Sequence, residues 1–129
     1  MKRFGRVALA ALAVGLALPA TEALAQAYPT RPVRMIVPFP PGGATDIIAR
    51  LVSDRLTELW GQTVIVDYKP GAGTVVGTEV VAKAPADGYT MGMVITAHVL
   101  NPSLRKDMPY DTLKDLAGVS LVAVSHIVI

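Results

Sequence analysis

The sequence has 129 residues, is 52% hydrophobic and 17% charged, carries a formal net charge of +2 and contains no cysteine. The lack of cysteine excludes disulfides, thiolate catalysis, cysteine-ligated metals and a lipid anchor on a cysteine. The positive excess comes entirely from Lys2, Arg3 and Arg6 against Glu22, and the remaining nine basic and nine acidic residues form no block that would indicate a polyanionic partner.

Residues 1–25 have the pattern of a cleavable signal peptide. Three basic residues precede the uncharged apolar run at 7–20. A signal-peptide core spans about 7–15 residues, whereas a membrane helix needs about 20. Small residues at Ala23 and Ala25 suit a signal peptidase, and we expect cleavage after Ala25. The pattern therefore predicts a soluble periplasmic protein, with a short buried helix of a cytosolic protein as the alternative.

From residue 28 onward, short β-type runs alternate with helical segments. Residues 33–39, 63–68 and 89–96 are rich in Val, Ile and Met between Gly and Pro clusters, which predicts three strands. A long amphipathic helix is predicted to end at Gly61, and residues 75–84 predict a weaker one. The alternation indicates an α/β fold with a parallel sheet flanked by helices. The predicted apolar face of the long helix comprises Ile47, Ile48, Leu51, Val52, Leu56, Leu59 and Trp60.

The pattern is weaker beyond residue 96. Residues 97–110 predict a polar loop, 111–116 a short helix and 118–124 another strand. The sequence stops within the apolar run 125–129, with no turn or cap after it. An unpaired hydrophobic strand promotes aggregation, so we expect the sequence to be a fragment of a longer protein.

Ligands of open parallel sheets bind beyond the carboxyl ends of the strands, where connecting loops expose backbone N–H groups. Three predicted loops qualify, at residues 39–46, 69–74 and 96–101. The first places Gly42, Gly43 and Thr45 at the start of the long helix. Free amides and the helix dipole there favour an anion by about 0.3–1 kcal/mol when exposed and up to about 2 kcal/mol when partly buried.

Two titratable residues in these loops each have two interpretations. Asp46 either caps the helix start or faces the cleft, where it would receive a ligand ammonium group or hold water. His98 either has a structural or solvent-exposed role or contacts the ligand, and with His126 as the only other histidine it makes a poor metal site. Because no serine, histidine and acid arrangement stands out, we predict no catalytic residue.

The glycine turn at residues 71–77 is similar to a dinucleotide fingerprint but departs from it. The third glycine, Gly77, comes one residue too late for G-x-G-x-x-G, and no acidic partner follows at the usual distance. The departure argues against a nucleotide site. The same turn could still present backbone amides to a small carboxylate.

Several ordered segments together resemble the Bug receptors, of TctC type, of tripartite tricarboxylate transporters. They are YPTRPVR at 28–34, VPFPPGGATD at 37–46, KPGAG at 69–73, APADGYT at 84–90, and PYD and LKD at 109–111 and 113–115. The resemblance implies a Venus-flytrap protein of the type II periplasmic binding class. Residues 26–129 would be the N-terminal part of its first domain, with the second domain absent.

The same resemblance implies a function and a set of site residues. Such a receptor is expected to be a monomer without cofactor or metal that binds a small carboxylate and delivers it to membrane permease subunits. Backbone amides and ordered waters of the loops would hold the carboxylate. The matching positions are Phe39, Gly42, Gly43, Thr45, Asp46, Ala72 and Gly73, with Thr96 and His98 on the third loop.

Departures from the family pattern leave alternatives open. Family members often have glycine and asparagine where this sequence has Thr74 and Val75, and asparagine where it has Tyr68. Ligand identity therefore transfers less well than fold. The alternatives are a small α/β enzyme or nucleotide-binding module, and a sensor-type receptor without a role in transport.

Overall fold

The computed structural model describes residues 27–124, so the predicted leader and residues 125–129 lie outside the described part. The strands are β1 Val33–Val37, β2 Val64–Tyr68 and β3 Thr90–Gly92. The helices are α1 Ala44–Trp60, α2 Val75–Ala82 and α3 Thr96–Leu104, and a 3-10 turn at Ala72–Thr74 precedes α2. The strand and helix alternation predicted up to residue 96 is confirmed.

The three strands form a parallel sheet in the order β2-β1-β3. Helix α1 connects β1 to β2, and α2 connects β2 to β3. Since β2 and β3 flank β1 on opposite sides, right-handed crossovers place the two helices on opposite faces of the sheet. The burial of β1 agrees with this, because Val33, Met35, Ile36 and Val37 are all buried. The predicted parallel α/β architecture is therefore confirmed.

Helix α1 packs on the sheet through small residues. Ala49 and Ser53 are 0% and 2% exposed, and the buried core joins Ala49 to β1 and β2. Only part of the predicted apolar face is correct: Val52, Leu56 and Trp60 pack against the core. In contrast, Ile47, Leu51 and Leu59 are exposed. The seven predicted residues span too wide an arc of the helix for all of them to face one flat sheet.

Helix α1 ends as its sequence predicts. Gly61 adopts a left-handed conformation with φ 64°, and its N–H donates to the Thr57 carbonyl at 3.0 Å. The Thr57 hydroxyl in turn accepts the N–H of Val64 at 3.0 Å. These two contacts fix the short connection from α1 into β2.

Several elements are shorter than the sequence predicts. Strand β1 stops at Val37 because Pro38 has no N–H for the ladder. Strand β3 covers only three residues, and a side chain at its last residue, Gly92, would lie 2.7 Å from Val81. Helix α2 ends at Ala82, two residues before its predicted end, and Lys83 follows as its C-cap.

The predictions beyond residue 96 were mostly wrong. Residues 96–104 form α3 where a polar loop was predicted, and Pro102 lies within this helix. The predicted helix at 111–116 is a single turn closed by the Asp115 N–H on the Asp111 carbonyl at 3.0 Å. Residues 118–124 form no strand, and Val119 and Leu121 are exposed because no described neighbour pairs with or covers this segment.

Candidate functional site

The three predicted ligand loops lie at one edge of the sheet. Because the strands are parallel, their carboxyl ends, at Val37, Tyr68 and Gly92, face the same way. The order β2-β1-β3 also places a topological switch point beside β1, where open α/β sheets have a crevice. The geometry therefore gathers the loops as expected from the sequence.

The start of α1 is open to an anion. Its N-cap residue is Gly43, and within the described part of the chain the first-turn amides of this 17-residue helix have no side-chain acceptor. Unsatisfied amides and the helix dipole give this end a partial positive charge. Thr45 is half-buried in the same turn. The side chain of Phe39 is half-buried and packs against the core.

Asp46 is occupied by donors of its own chain. It is 5% exposed; one carboxylate oxygen accepts the Gly42 N–H at 2.7 Å, and the other accepts the Tyr68 hydroxyl at 2.6 Å and Arg50 Nε at 2.8 Å. Asp46 therefore organises the first loop, but it does not cap the helix, because its carboxylate accepts the N–H of Gly42 ahead of the N-cap and no amide of the first turn. The Gly42 N–H is used internally, so Gly42, with φ 96°, shapes the loop and supplies no free donor.

The same donors determine the charge state of Asp46. The hydrogen bond from Tyr68, followed by that from the Gly42 N–H, lowers the pKa of the carboxyl below its ordinary range, and Arg50 adds to the effect against the opposing influence of burial. The carboxylate is thus ionised, yet a cation and two further donors compensate its charge. A compensated carboxylate competes less with an incoming anion for the amides of α1.

The second loop has an unusual backbone. Gly71, Ala72, Gly73 and Thr74 all have positive φ values of 143°, 47°, 62° and 80°. Left-handed conformations cost about 1–3 kcal/mol each in residues other than glycine, and strain of this kind concentrates at functional sites. Ala72 and Gly73 are exposed at the turn, whereas Thr74 is buried. The two predicted site residues of this loop are therefore accessible.

Asn101 holds this left-handed turn, although no sequence pattern marked it as a site residue. Its side chain is 5% exposed and donates to the Gly73 carbonyl at 2.9 Å, with a longer contact of 3.4 Å to the Thr74 hydroxyl. An open concavity of about 490 Å³ lies where the turn meets α3. Its lining comprises Gly73, Ala97, Leu100, Asn101, Leu104 and Arg105.

The chain segments that lead into the first and second loops are in direct contact. The N–H of Lys69 donates to the Val37 carbonyl at 2.9 Å. A Cβ atom added to Gly77 would lie 2.7 Å from Pro38 Cβ and 2.8 Å from the Lys69 carbonyl oxygen. The glycine that resembled the end of a dinucleotide fingerprint therefore allows α2 to approach the loop after β1.

The predicted third-loop residues lie in the first turns of α3. Thr96 is exposed. The imidazole ring of His98 stacks on Tyr110, with ring centroids 6.2 Å apart, and burial lowers its pKa. These contacts support the structural interpretation of His98, because they direct the ring toward residue 110 and not toward the first two loops. Within residues 27–124, no cluster of three or more His, Asp or Glu side chains is placed to hold a metal ion.

Among the helices of the described part, none is both long and apolar enough to cross a membrane.

Three side chains organise the site in addition to the predicted residues: Arg50, Tyr68 and Asn101. The spacing of Asp46 and Arg50, four residues apart on one helix, is the only local signal for any of the three.

Comparisons with known proteins agree with this architecture. A family model described as the tripartite tricarboxylate transporter family receptor, TctC, matches residues 48–129. BugT of Bordetella pertussis is 46% identical over 110 residues, which cover 84% of this chain and 33% of BugT. The chain spans about a third of the length of the curated relatives it matches.

Solved structures give the same result. The periplasmic binding protein BugD is 41% identical with a TM-score of 0.65, over 68% of this chain and 29% of BugD. R. palustris Rpa4515 with adipate is also 41% identical, with a TM-score of 0.63 over 66% of this chain and 29% of that protein. Because the family model matches more than half of the sequence, the chain belongs to the TctC family of tripartite tricarboxylate transporter receptors, a family of solute receptors and not of enzymes.

Proposed function

We propose that the protein binds a small organic carboxylate in the periplasm and delivers it to the membrane permease of a tripartite tricarboxylate transporter. The residues described here form one wall of the binding cleft. The resemblance of the sequence to Bug receptors and the family match both support this function. A neighbour of known structure was solved with adipate, so a linear dicarboxylate is the first ligand to test.

The observation that carries the proposal is the uncapped start of α1. It lies at the same sheet edge as the exposed left-handed turn at Ala72 and Gly73, and its nearest acid, Asp46, is already neutralised by its own donors. In this proposal, backbone amides of both loops hold the ligand carboxylate. Anions favour such helix starts because both the free N–H groups and the dipole attract them.

Of the remaining predicted positions, Gly43 and Thr45 belong to this helix start and fit a direct contact with the carboxylate. Thr96 and His98 lie at the start of α3, beyond the contacts that join the first two loops. We assign Thr96 to the side of the cleft that holds the rest of the ligand, and His98, whose ring packs on Tyr110, to the support of that side. The protein is expected to act as a monomer that needs neither cofactor nor metal.

The sharpest test removes one amide donor and leaves the helix intact. Ala44 is the first residue of α1 and is exposed, and Gly43 before it has φ −90° and ψ 174°. Proline is well tolerated at a first helical position after such an extended residue, yet it has no N–H. In the full-length gene product, Ala44→Pro should weaken carboxylate binding about tenfold, equivalent to about 1.4 kcal/mol.

Isothermal titration calorimetry with a panel of C4–C8 dicarboxylates, citrate and monocarboxylates measures this effect. The matched control is Ala44→Gly, which keeps the N–H and should bind like the wild type. The urea midpoint of Ala44→Pro should not fall, because the substitution suits the local backbone. Binding of nucleotides and none of the acids by the wild-type protein would reject the receptor function, and undiminished binding by Ala44→Pro would reject the role of α1.

A further inference from the structure

We propose that Tyr68 is a positioning residue for ligand binding, whose hydroxyl holds Asp46 away from the helix start that the ligand carboxylate occupies. This inference rests on the proposed function and goes beyond it, because Tyr68 is assigned no contact with the ligand. Tyr68 is the last residue of β2, and its hydroxyl lies 2.6 Å from Asp46 Oδ1. The contact joins the end of β2 to the first turn of α1, across 22 positions of sequence.

The need for such a device follows from the position of Asp46. Its carboxylate lies in the first turn of α1, whose amides lack a side-chain cap. A carboxylate in a first helical turn is attracted to those amides just as a ligand carboxylate is. An Asp46 side chain that rotated toward them would occupy the donors that the ligand needs.

Three donors oppose that rotation, and they differ in how firmly they are held. The Gly42 N–H belongs to the loop that Asp46 itself organises, so it does not restrain Asp46 independently. Arg50 is four residues along the same helix and its side chain is 57% exposed, so water competes for its contact. Tyr68 is half-buried and comes from a strand in the sheet. Its hydroxyl is therefore the only one of the three donors that is anchored in the sheet.

The two partners influence each other's ionisation in the expected directions. The hydrogen bond from Tyr68 is the largest of the causes that lower the pKa of Asp46. The same bond to a carboxylate raises the pKa of the Tyr68 hydroxyl above its ordinary value. Tyr68 thus stays protonated and keeps donating, while Asp46 stays ionised and keeps accepting.

The experiment uses Tyr68→Phe in the full-length gene product, with Tyr89→Phe as the matched control. Tyr89 directly precedes β3, at the amino ends of the strands and so at the opposite end of the sheet from the candidate site. Its hydroxyl accepts the Thr30 N–H at 3.0 Å. Each variant loses one hydroxyl and one set of hydrogen bonds. Calorimetry with the tightest-binding acid should show about tenfold weaker binding for Tyr68→Phe and unchanged binding for Tyr89→Phe, at similar urea midpoints.

Two further readouts separate positioning from a general loss of stability. If Tyr68 acts through Asp46, then Tyr68→Phe should have no additional effect on affinity in an Asp46→Asn background, where the competing charge is gone. The NMR titration of the Asp46 carboxyl carbon should also move to higher pH in Tyr68→Phe and stay in place in Tyr89→Phe.

The outcomes distinguish this inference from the function on which it rests. Wild-type protein that binds none of the acids ends the proposed function, and the role of Tyr68 with it. Wild-type binding that Tyr68→Phe leaves intact overturns the role of Tyr68 alone. That role is also overturned if the loss persists undiminished in the Asp46→Asn background, or if Tyr89→Phe weakens binding equally.

Discussion

Gly77 occupies the first turn of α2, where the helix passes closest to the loops that carry the candidate site. A methyl group on its Cα would lie 2.7 Å from Pro38 Cβ, 2.9 Å from Pro38 Cα and 2.8 Å from the Lys69 carbonyl oxygen. Pro38 joins β1 to the first ligand loop and Lys69 begins the second, so all three atoms lie where the chain enters these loops. Gly77→Ala should therefore move α2 away from both loops.

Two opposing effects set the size of the change. Alanine is favoured over glycine within a helix by about 0.8–1.0 kcal/mol. Overpacking costs about 1–3 kcal/mol, and the upper end applies here because the ring of Pro38 and the backbone of Lys69 are held by the sheet. We therefore expect a net destabilisation of about 2 kcal/mol. With an m-value of about 2 kcal/mol/M in urea, the midpoint should fall by about 1 M.

Urea unfolding of the full-length gene product, followed by circular dichroism, measures this shift. Gly118→Ala is the matched control, because no atom of residues 27–124 lies within 4 Å of a Cβ atom added there. The free energy of unfolding of this control should change by no more than about 0.5 kcal/mol. The reasoning would be refuted by a Gly77→Ala protein that is as stable as the wild type or more stable, since helix propensity would then outweigh the clash.

Two other substitutions test separate features. Asn101→Ala removes the side-chain donor of the exposed Gly73 carbonyl and should cost about 0.5–1.5 kcal/mol in urea unfolding; an unchanged midpoint would mean that Asn101 does not hold the turn. Burial lowers the pKa of His98 below its ordinary 6.5, so the unfolded chain takes up a proton that the folded chain does not. The stability that neutral His98 provides is therefore full above pH 6.5 and declines from there down to its folded pKa. His98→Phe should remove this part of the pH dependence in thermal unfolding, and an identical profile in the variant would contradict it.

Local chemistry explains why most of the fold was predictable. The β-branched run at Val33–Val37, the stop at Pro38 and the left-handed Gly61 each depend on residues next to them in sequence. The arrangement of the loops followed from topology, because parallel strands align their carboxyl ends. Helix α3 was missed because Pro102 argues against a helix in the local sequence.

The candidate site was less predictable because its decisive contacts are long-range. The position of Asp46 at a helix start could be read from the sequence, but the direction of its carboxylate could not. One of its donors, Tyr68, lies 22 residues away, and Asn101 lies 28 residues from the carbonyl that it binds. Such pairs become neighbours only when the sheet has formed.

Helix α3, which the sequence patterns missed, and the glycine turn before α2 depend on each other. The turn at Ala72–Thr74 contains two non-glycine residues with positive φ. Each costs about 1–3 kcal/mol, so the turn persists only because surrounding contacts offset that cost. Helix α3 has nine residues and contains a proline, so it is too short to be stable alone. The Asn101 side chain connects them, since it stabilises the turn and is itself buried by docking α3 against it. Each element supplies what the other lacks, so α3 leaves no helix signal in its own segment of sequence.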